Sequence, residues 1–232
     1  LMNYLQLVQR LKRKCRVSGA MPATLQNSPA EEVARLSDWI NEAWTDIQLA
    51  RPDWRWMRGS VTFQTTQAKP TYSLVEILAM DSTFTGFGNW KIDTFRNYVT
   101  DAGTASEIFM DYEPYDEWRD TYQFGGFRYA YSRPINFSYS PDFSICLGPV
   151  PISGYTIIGD YYKVAAELSA DADTPNLPSQ FHQAIVYRAM MFYGMSEAAP
   201  EVFQEGETEF KRMMARISMH ELNQVQIAGA LV

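Results

Sequence analysis

The densest set of groups able to do chemistry lies between positions 111 and 120, where Asp111, Glu113, Asp116, Glu117 and Asp120 are interleaved with Tyr112, Tyr115 and Trp118. Carboxylates beside aromatic rings are the apparatus of glycoside hydrolysis, in which two acids face each other across the scissile bond, about 5 to 9.5 Å apart. Closeness along the chain does not supply that opposition, and acids in the first turn of a short helix are favoured by the helix dipole alone. A hydrolase using pairs among Glu113, Asp116, Glu117 and Asp120 is therefore the third of three readings, and no catalytic residue is assigned. Gly86-Phe87-Gly88-Asn89 shares only its glycines with a phosphate loop, because no Gly-Lys-Ser/Thr follows to hold the phosphate, and it reads as a turn. Two histidines, His182 and His220, and two distant cysteines, Cys15 and Cys146, form no metal-ligand spacing, so neither metal nor cofactor is expected. His182 is expected to satisfy a polar contact among helices.

Three other stretches have the character of binding surfaces. Arg10, Lys12, Arg13, Lys14 and Arg16 put five cations in seven residues, with no acid in the first twenty. They suit an acidic partner or a nucleic-acid backbone, or else a solvated helix face whose late cations favour the negative helix end. Phe124-Gly125-Gly126-Phe127 is a flexible loop flanked by rings, a candidate contact surface. From Asn223 to Val232 the chain carries no charge and several aliphatics, Val225, Ile227, Ala228, Leu231 and Val232 among them, which suits docking on a partner better than life as a free tail.

The elements that position these groups follow from periodicity. Met2 to Val17 reads as a first helix with Tyr4, Leu7, Val8, Leu11 and Cys15 on one face and Gly19 as its stop. Ala20 to Asn27 connects it to the best-specified segment, Ser28 to Met57, whose Ser28-Pro29-Ala30-Glu31 start is a capping box and whose helix ends at Arg51-Pro52. Val33, Leu36, Ile40, Ala43, Trp44 and Ile47 form its apolar stripe, and Trp39, Trp44, Trp54 and Trp56 anchor the core. From Gly59 the period becomes two and rings grow dense, predicting strands over Val61–Gln64, Thr71–Leu74, Trp90–Val99 and Ala105–Met110. A short helix is expected over Pro114–Tyr122, then an antiparallel meander of Pro134–Tyr139, Phe143–Leu147 and Tyr155–Lys163. Ala165 to Asn176 reads as a linker. The helix from Pro178 carries Phe181, Ala184, Ile185, Ala189, Phe192 and Met195 on one face and is buried nearly all round; a last helix runs to about Met219 on Phe203, Phe210, Met213, Met214 and Ile217.

With 232 residues, a formal net charge of -7 and no apolar run near the ~20 residues a membrane span needs, the expectation is a chain without a membrane partner and not a general nucleic-acid binder. The expected fold class is α+β: terminal helices forming an antiparallel helix bundle (1–58 and 171–222), an inserted aromatic-rich antiparallel β domain (59–170) and a C-terminal docking tail (223–232).

The chain resembles phage head-to-tail adaptor proteins, also called head completion or tail tubular A-like connectors. The resemblance is carried by Val17-Ser18-Gly19 after the first helix, by Trp39-Ile40-Asn41-Glu42-Ala43-Trp44-Thr45-Asp46-Ile47-Gln48, and by Asp53-Trp54-Arg55-Trp56. Asp173-Thr174-Pro175-Asn176-Leu177-Pro178, leading into Phe181-His182 and Tyr187-Arg188-Ala189, completes it. It implies a structural, non-enzymatic virion subunit at the head-tail junction, assembled in the host cytoplasm. The subunit would join others in a homo-oligomeric ring, expected to be a dodecamer, holding the portal protein through terminal segments and meeting tail or nozzle proteins through the β region while phage DNA passes. The competing reading is a carbohydrate- or receptor-binding tail module using the aromatic β region.

Overall fold

In the computed structural model the chain is described over residues 1–25 and 31–221. The expected cap at Ser28, Pro29 and Ala30 and the tail residues Val225, Ile227, Ala228, Leu231 and Val232 lie outside the described residues. The protein is an α+β protein whose chain divides into two compact units, Leu1–Met57 with Ala165–Val232, and Arg58–Val164.

The first unit is helical. Helix α1 (Tyr4–Lys14) starts at a capping box in which Asn3 and Gln6 satisfy each other's backbone N–H. It buries Tyr4, Leu7, Val8 and Leu11, the predicted face. It stops earlier than expected: Cys15 is the C-cap and Arg16 takes a left-handed φ of 55°, so Gly19 plays no part in the stop. Helix α2 (Glu31–Leu49) buries all six of its predicted stripe residues. Trp44 stacks on Trp56 at 5.2 Å, and the buried Trp54 donates its indole N–H to the Ile47 carbonyl. Helix α5 (Gln183–Ser196) packs against α1, α2 and α6 (Pro200–Glu221) and is buried on nearly every side, except that Met195, expected inside, is exposed. On α6 only Ile217 of the expected stripe is fully buried; Phe203, Phe210, Met213 and Met214 are half-buried.

The stretch from Ala165 is a strap rather than a free linker. Its backbone is satisfied by two amide side chains of α2: Gln48 donates to the Ala166 carbonyl and accepts from the Ala166 N–H, and Asn41 does the same at Leu168. Further along, the carbonyls of Asp171 and Asp173 accept the N–H groups of Leu5 and Tyr4, two of the donors that a helix N-terminus leaves without internal partners. Small polar residues look like a linker in sequence because their partners lie more than a hundred residues away. His182 is fully buried, with Nε2 donating to the Leu177 carbonyl and Nδ1 accepting from the Met2 N–H, so its polar contact is met as expected.

The second unit holds ten strands in three sheets. The strands are β1 (Arg58–Gln64), β2 (Thr71–Tyr72), β3 (Phe87–Val99), β4 (Ile108–Phe109), β5 (Asp111–Tyr112), β6 (Tyr131–Ser132), β7 (Asn136–Tyr139), β8 (Ile145–Gly148), β9 (Val150–Pro151) and β10 (Tyr155–Lys163). Their order is β1-β10-β3-β4, β2-β8-β7-β5 and β6-β9. The expected meander is therefore corrected. β7 and β8 form a hairpin across Ser140-Pro141-Asp142, but β10 leaves them to pair antiparallel with β1 and β3. β5/β7 and β6/β9 are short parallel pairs, so the unit is not wholly antiparallel. Thr71–Leu74 is also corrected: the strand ends at Tyr72, and Ser73 caps a helix, α3 (Leu74–Met80), through a capping box with Glu76. The turn is at Gly86 alone, at a φ of 63° that glycine tolerates without penalty, while Phe87, Gly88 and Asn89 already belong to β3. A 3₁₀ turn over Gly103–Ser106 takes the start of the strand expected at Ala105.

This unit's core is a continuous set of rings. Phe63, Tyr72, Phe84, Trp90, Phe95, Phe137 and Tyr161 are all buried. Phe95 stacks on Phe137 at 4.3 Å, and Phe84 lies edge-on to Tyr161 at 4.8 Å.

Candidate interaction surface

The acid-rich segment forms a short helix, α4 (Tyr115–Trp118), continued by a wider π turn over Arg119–Gln123. That winding puts Tyr115, Trp118 and Tyr122, at steps of three and four, along one face. Asp111, Asp116, Glu117 and Asp120 stand exposed, and Glu113 is half-buried. Burial raises the Glu113 carboxyl above the usual glutamate range, against the lowering effect of the Asn136 amide that donates to it. The same amide reaches the Tyr122 hydroxyl at 3.2 Å. Glu113 thus belongs to a hydrogen-bonded cluster that holds the segment to β7.

The aligned rings open onto a cleft of about 530 Å³, within the size of small-ligand and peptide-anchor sites. Tyr129, Tyr131 and Asp142 also line it. The Asp142 carboxylate accepts from the Ser140 and Ser144 hydroxyls, which hold its pKa below the usual aspartate range. Gly148 belongs at the base of this arrangement, since a Cβ there would come within 2.4 Å of the Tyr122 ring. Trp118 is 4% exposed, and its indole N–H has no protein partner among the described residues.

Phe124, Gly125, Gly126 and Phe127 sit beside the cleft and are more ordered than expected, running into a 3₁₀ turn over Gly126–Tyr129. Phe124 is 63%, Phe127 61% and Tyr129 73% exposed. The Arg119 guanidinium lies between the Tyr115 and Phe124 rings, 5.9 and 5.6 Å from their centroids. Reading the Phe124–Phe127 motif alone missed Tyr129, Tyr131 and Asp142. The signal for the two tyrosines was the unbroken ring spacing through position 131; Asp142 arrives from a distant turn and had no local signal.

The five cations of α1 and the turn after it do not form one surface. Lys12 is only 3% exposed and pairs with Glu32 at 2.5 Å. Lys14 pairs with Glu205 at 2.8 Å and lies over the Tyr187 ring. Arg10, Arg13 and Arg16 are exposed. Both cysteines are buried and free, and burial pushes Cys15 up to about 12 and Cys146 up to about 11.

An α+β chain with no described helix long and apolar enough to cross a membrane, and with Phe124, Phe127, Tyr129 and Tyr131 exposed at or beside one cleft, has the surface of a protein that works by contact with other molecules. Residues 2–229 match the family described as SU10 adaptor protein, and the chain belongs to that family of phage head-to-tail adaptors. No curated protein matches the chain.

Proposed function

We propose that the chain is a structural subunit of a ring-shaped head-to-tail connector that sits below the portal of the capsid, joins it to the tail and forms part of the DNA channel. The observation that carries this reading is the family match across residues 2–229, which spans both units rather than one. In this reading the terminal helices form an antiparallel bundle, with 59–170 as the inserted β domain. The uncharged 223–232 segment docks on the portal through Val225, Ile227, Ala228, Leu231 and Val232. Arg10, Arg13 and Arg16, with Lys12 and Lys14 behind them, face an acidic portal surface or the DNA backbone. The Phe124–Phe127 loop faces the tail or nozzle proteins. The ring is a dodecamer, built in the host cytoplasm and retained in the virion. Its acidic total suits a passage that must not grip moving phosphates, because each cation on the backbone adds to a strong, salt-dependent attraction. The role is architectural rather than catalytic.

The test is to mix the full chain with the portal of the same phage and weigh the product by light scattering, beside a variant ending at Leu222. Addition of about twelve copies by the full chain and none by the shortened one supports both the ring and the docking tail. Failure of the full chain to bind any portal overturns the reading.

A further inference from the structure

We propose that the cleft lined by α4, Tyr129 and Tyr131 receives an extended, proline-bearing, basic segment of a tail protein. The inference rests on the connector reading for the identity of the neighbour; the chemistry of the segment comes from the cleft.

The rings along the cleft come from the helical winding of α4 and its π turn, from the 3₁₀ turn that ends at Tyr129, and from β6 at Tyr131. Tyr115 and Trp118 are nearly parallel, 14° apart with centroids at 6.2 Å, and Trp118 meets Tyr122 at 6.3 Å. The result is a row of rings about 6 Å apart, the rise of two polyproline residues, with the half-buried Tyr115 and Tyr122 on either side of the buried Trp118. Proline fits against such rings because its own ring is flat and apolar, and a proline-rich strand is already extended before it binds, so little conformational freedom is lost on docking. Extended chain also brings bare carbonyls, two in every turn pointing outward. The Tyr129 hydroxyl and the Gln123 amide on the cleft wall are donors for them, and the unpartnered Trp118 indole N–H lies one layer below.

The charge around the cleft selects the sign of the flanking residues. Asp142 stands on the wall as a carboxylate, and Asp116, Glu117 and Asp120 are exposed on the same two turns that supply the rings. The cations nearby are laid over rings: Arg128 over Tyr129 at 5.5 Å, and Arg119 between Tyr115 and Phe124 with Asp116 at 3.9 Å. Asp142 on the wall and three exposed carboxylates on the adjoining turns, against two arginines, leave an acidic excess beside the cleft. That excess is drawn mostly from the acid cluster that so invites a hydrolase in sequence. It attracts a lysine- or arginine-bearing chain and disfavours an acidic one.

The experiment is fluorescence anisotropy with the full chain and a fluorescein-labelled peptide, Arg-Pro-Leu-Pro-Pro-Leu-Pro-Arg, as the probe. Saturable binding is expected, lost when glycine replaces every proline of the probe, and weakened several-fold when glutamine replaces both arginines. Tyr129→Ala, at a side chain mostly in water, should weaken binding about tenfold with an unchanged unfolding midpoint. Glu117→Gln with Asp120→Asn should weaken the arginine probe and leave the glutamine probe as it was. The proposal is overturned by absence of binding, by binding that the glycine probe or Tyr129→Ala leaves intact, or by displacement of the probe by maltohexaose, which would make the cleft a saccharide site. Portal binding by the same preparation separates the two readings: a chain that adds to the portal but ignores the peptide sinks this inference alone.

Discussion

The two units use aromatic rings in opposite ways. In the helical unit the large rings are inside or at the edge of the core, and its exposed apolar side chains are scattered singly: Leu1, Met21, Leu49, Met195 and Met219. In the β unit the core is itself made of rings, yet thirteen of the eighteen large apolar side chains exposed among the described residues also belong to it. Apolar area left in water is unfavourable for the isolated chain, by roughly 25 cal/mol per Å² relative to burial, and most of what is exposed among the described residues lies in this one unit. The helical unit, by contrast, keeps its charges busy. Lys12, Lys14, Arg35 and Arg188 each close an ion pair between segments distant in sequence.

The contrast breaks most readily in the two cores. Trp44→Ala in the helical unit and Phe137→Ala in the β unit should each cost about 3–5 kcal/mol, read as a shift of the urea midpoint. Both side chains are buried and stacked, on Trp56 and Phe95 respectively. A cost under about 1 kcal/mol for Phe137→Ala would show that the rings of the β unit are not its core.

Next in size is Arg133→Ala. The guanidinium donates from Nε to the Asn97 side-chain carbonyl at 2.7 Å, and from Nη2 to the backbone carbonyls of Asn97, at 2.8 Å, and Ser106. Removing it leaves acceptors around the fully buried Asn97 without donors, for an expected loss of about 2 kcal/mol in the β unit. Gly148→Ala should cost about 1–3 kcal/mol through the Tyr122 ring, and should loosen the cleft before it loosens the sheets.

Acidity separates the units further. Burial lowers the His182 pKa below its ordinary 6.5, opposed by its two backbone hydrogen bonds. The unfolded chain therefore binds the proton more readily, and the helical unit should lose stability as pH falls from about 6.5 toward the lowered value. In the β unit Glu76 is held at about 2, first by Lys69 and then by Ser73, so its contribution is complete above about 4.5 and fades only below that. Glu113, raised by burial, makes the folded β unit take up a proton earlier than the unfolded chain, which favours folding as pH falls. Thermal unfolding at pH 7 and at pH 5.5 should show the helical unit weakened and the β unit not; equal weakening of both would overturn the assignment to His182. The smallest effect is expected from Phe127→Ser, within about 0.5 kcal/mol on stability, because the ring stands mostly in water. A larger loss would mean that the ring belongs to the fold and not to a partner.

What was legible in sequence follows the range of the interactions. The α2 stripe is set by residues three and four apart, so all six of its predicted members are buried. The Ser73–Glu76 capping box was equally local, but the alternation of the preceding strand ran over it and hid α3. The pairing of β10 with β1 and β3 was not legible, because register between strands more than fifty residues apart leaves no mark on either strand alone. The cleft was half legible: α4 carries its rings at helical steps, while Asp142, Tyr129 and Tyr131 come from other segments whose proximity only the folded sheets create. The basic run misled in the same way, since Glu32 and Glu205 neutralise two of its members from other helices.

The strap that ties Asn41 and Gln48 to Ala166 and Leu168, and α1 to Asp171 and Asp173, also sets a timetable. A ribosome adding about 5–20 residues per second reaches the strap and α5 on the order of ten seconds after it has finished α2. Throughout that interval the apolar stripes of α1 and α2 are made but have no α5 to cover them. The β unit, whose sequence is contiguous, can close first. The first two helices of the nascent chain should therefore be open to capture by a chaperone, and that capture should end only once α5 has left the ribosome.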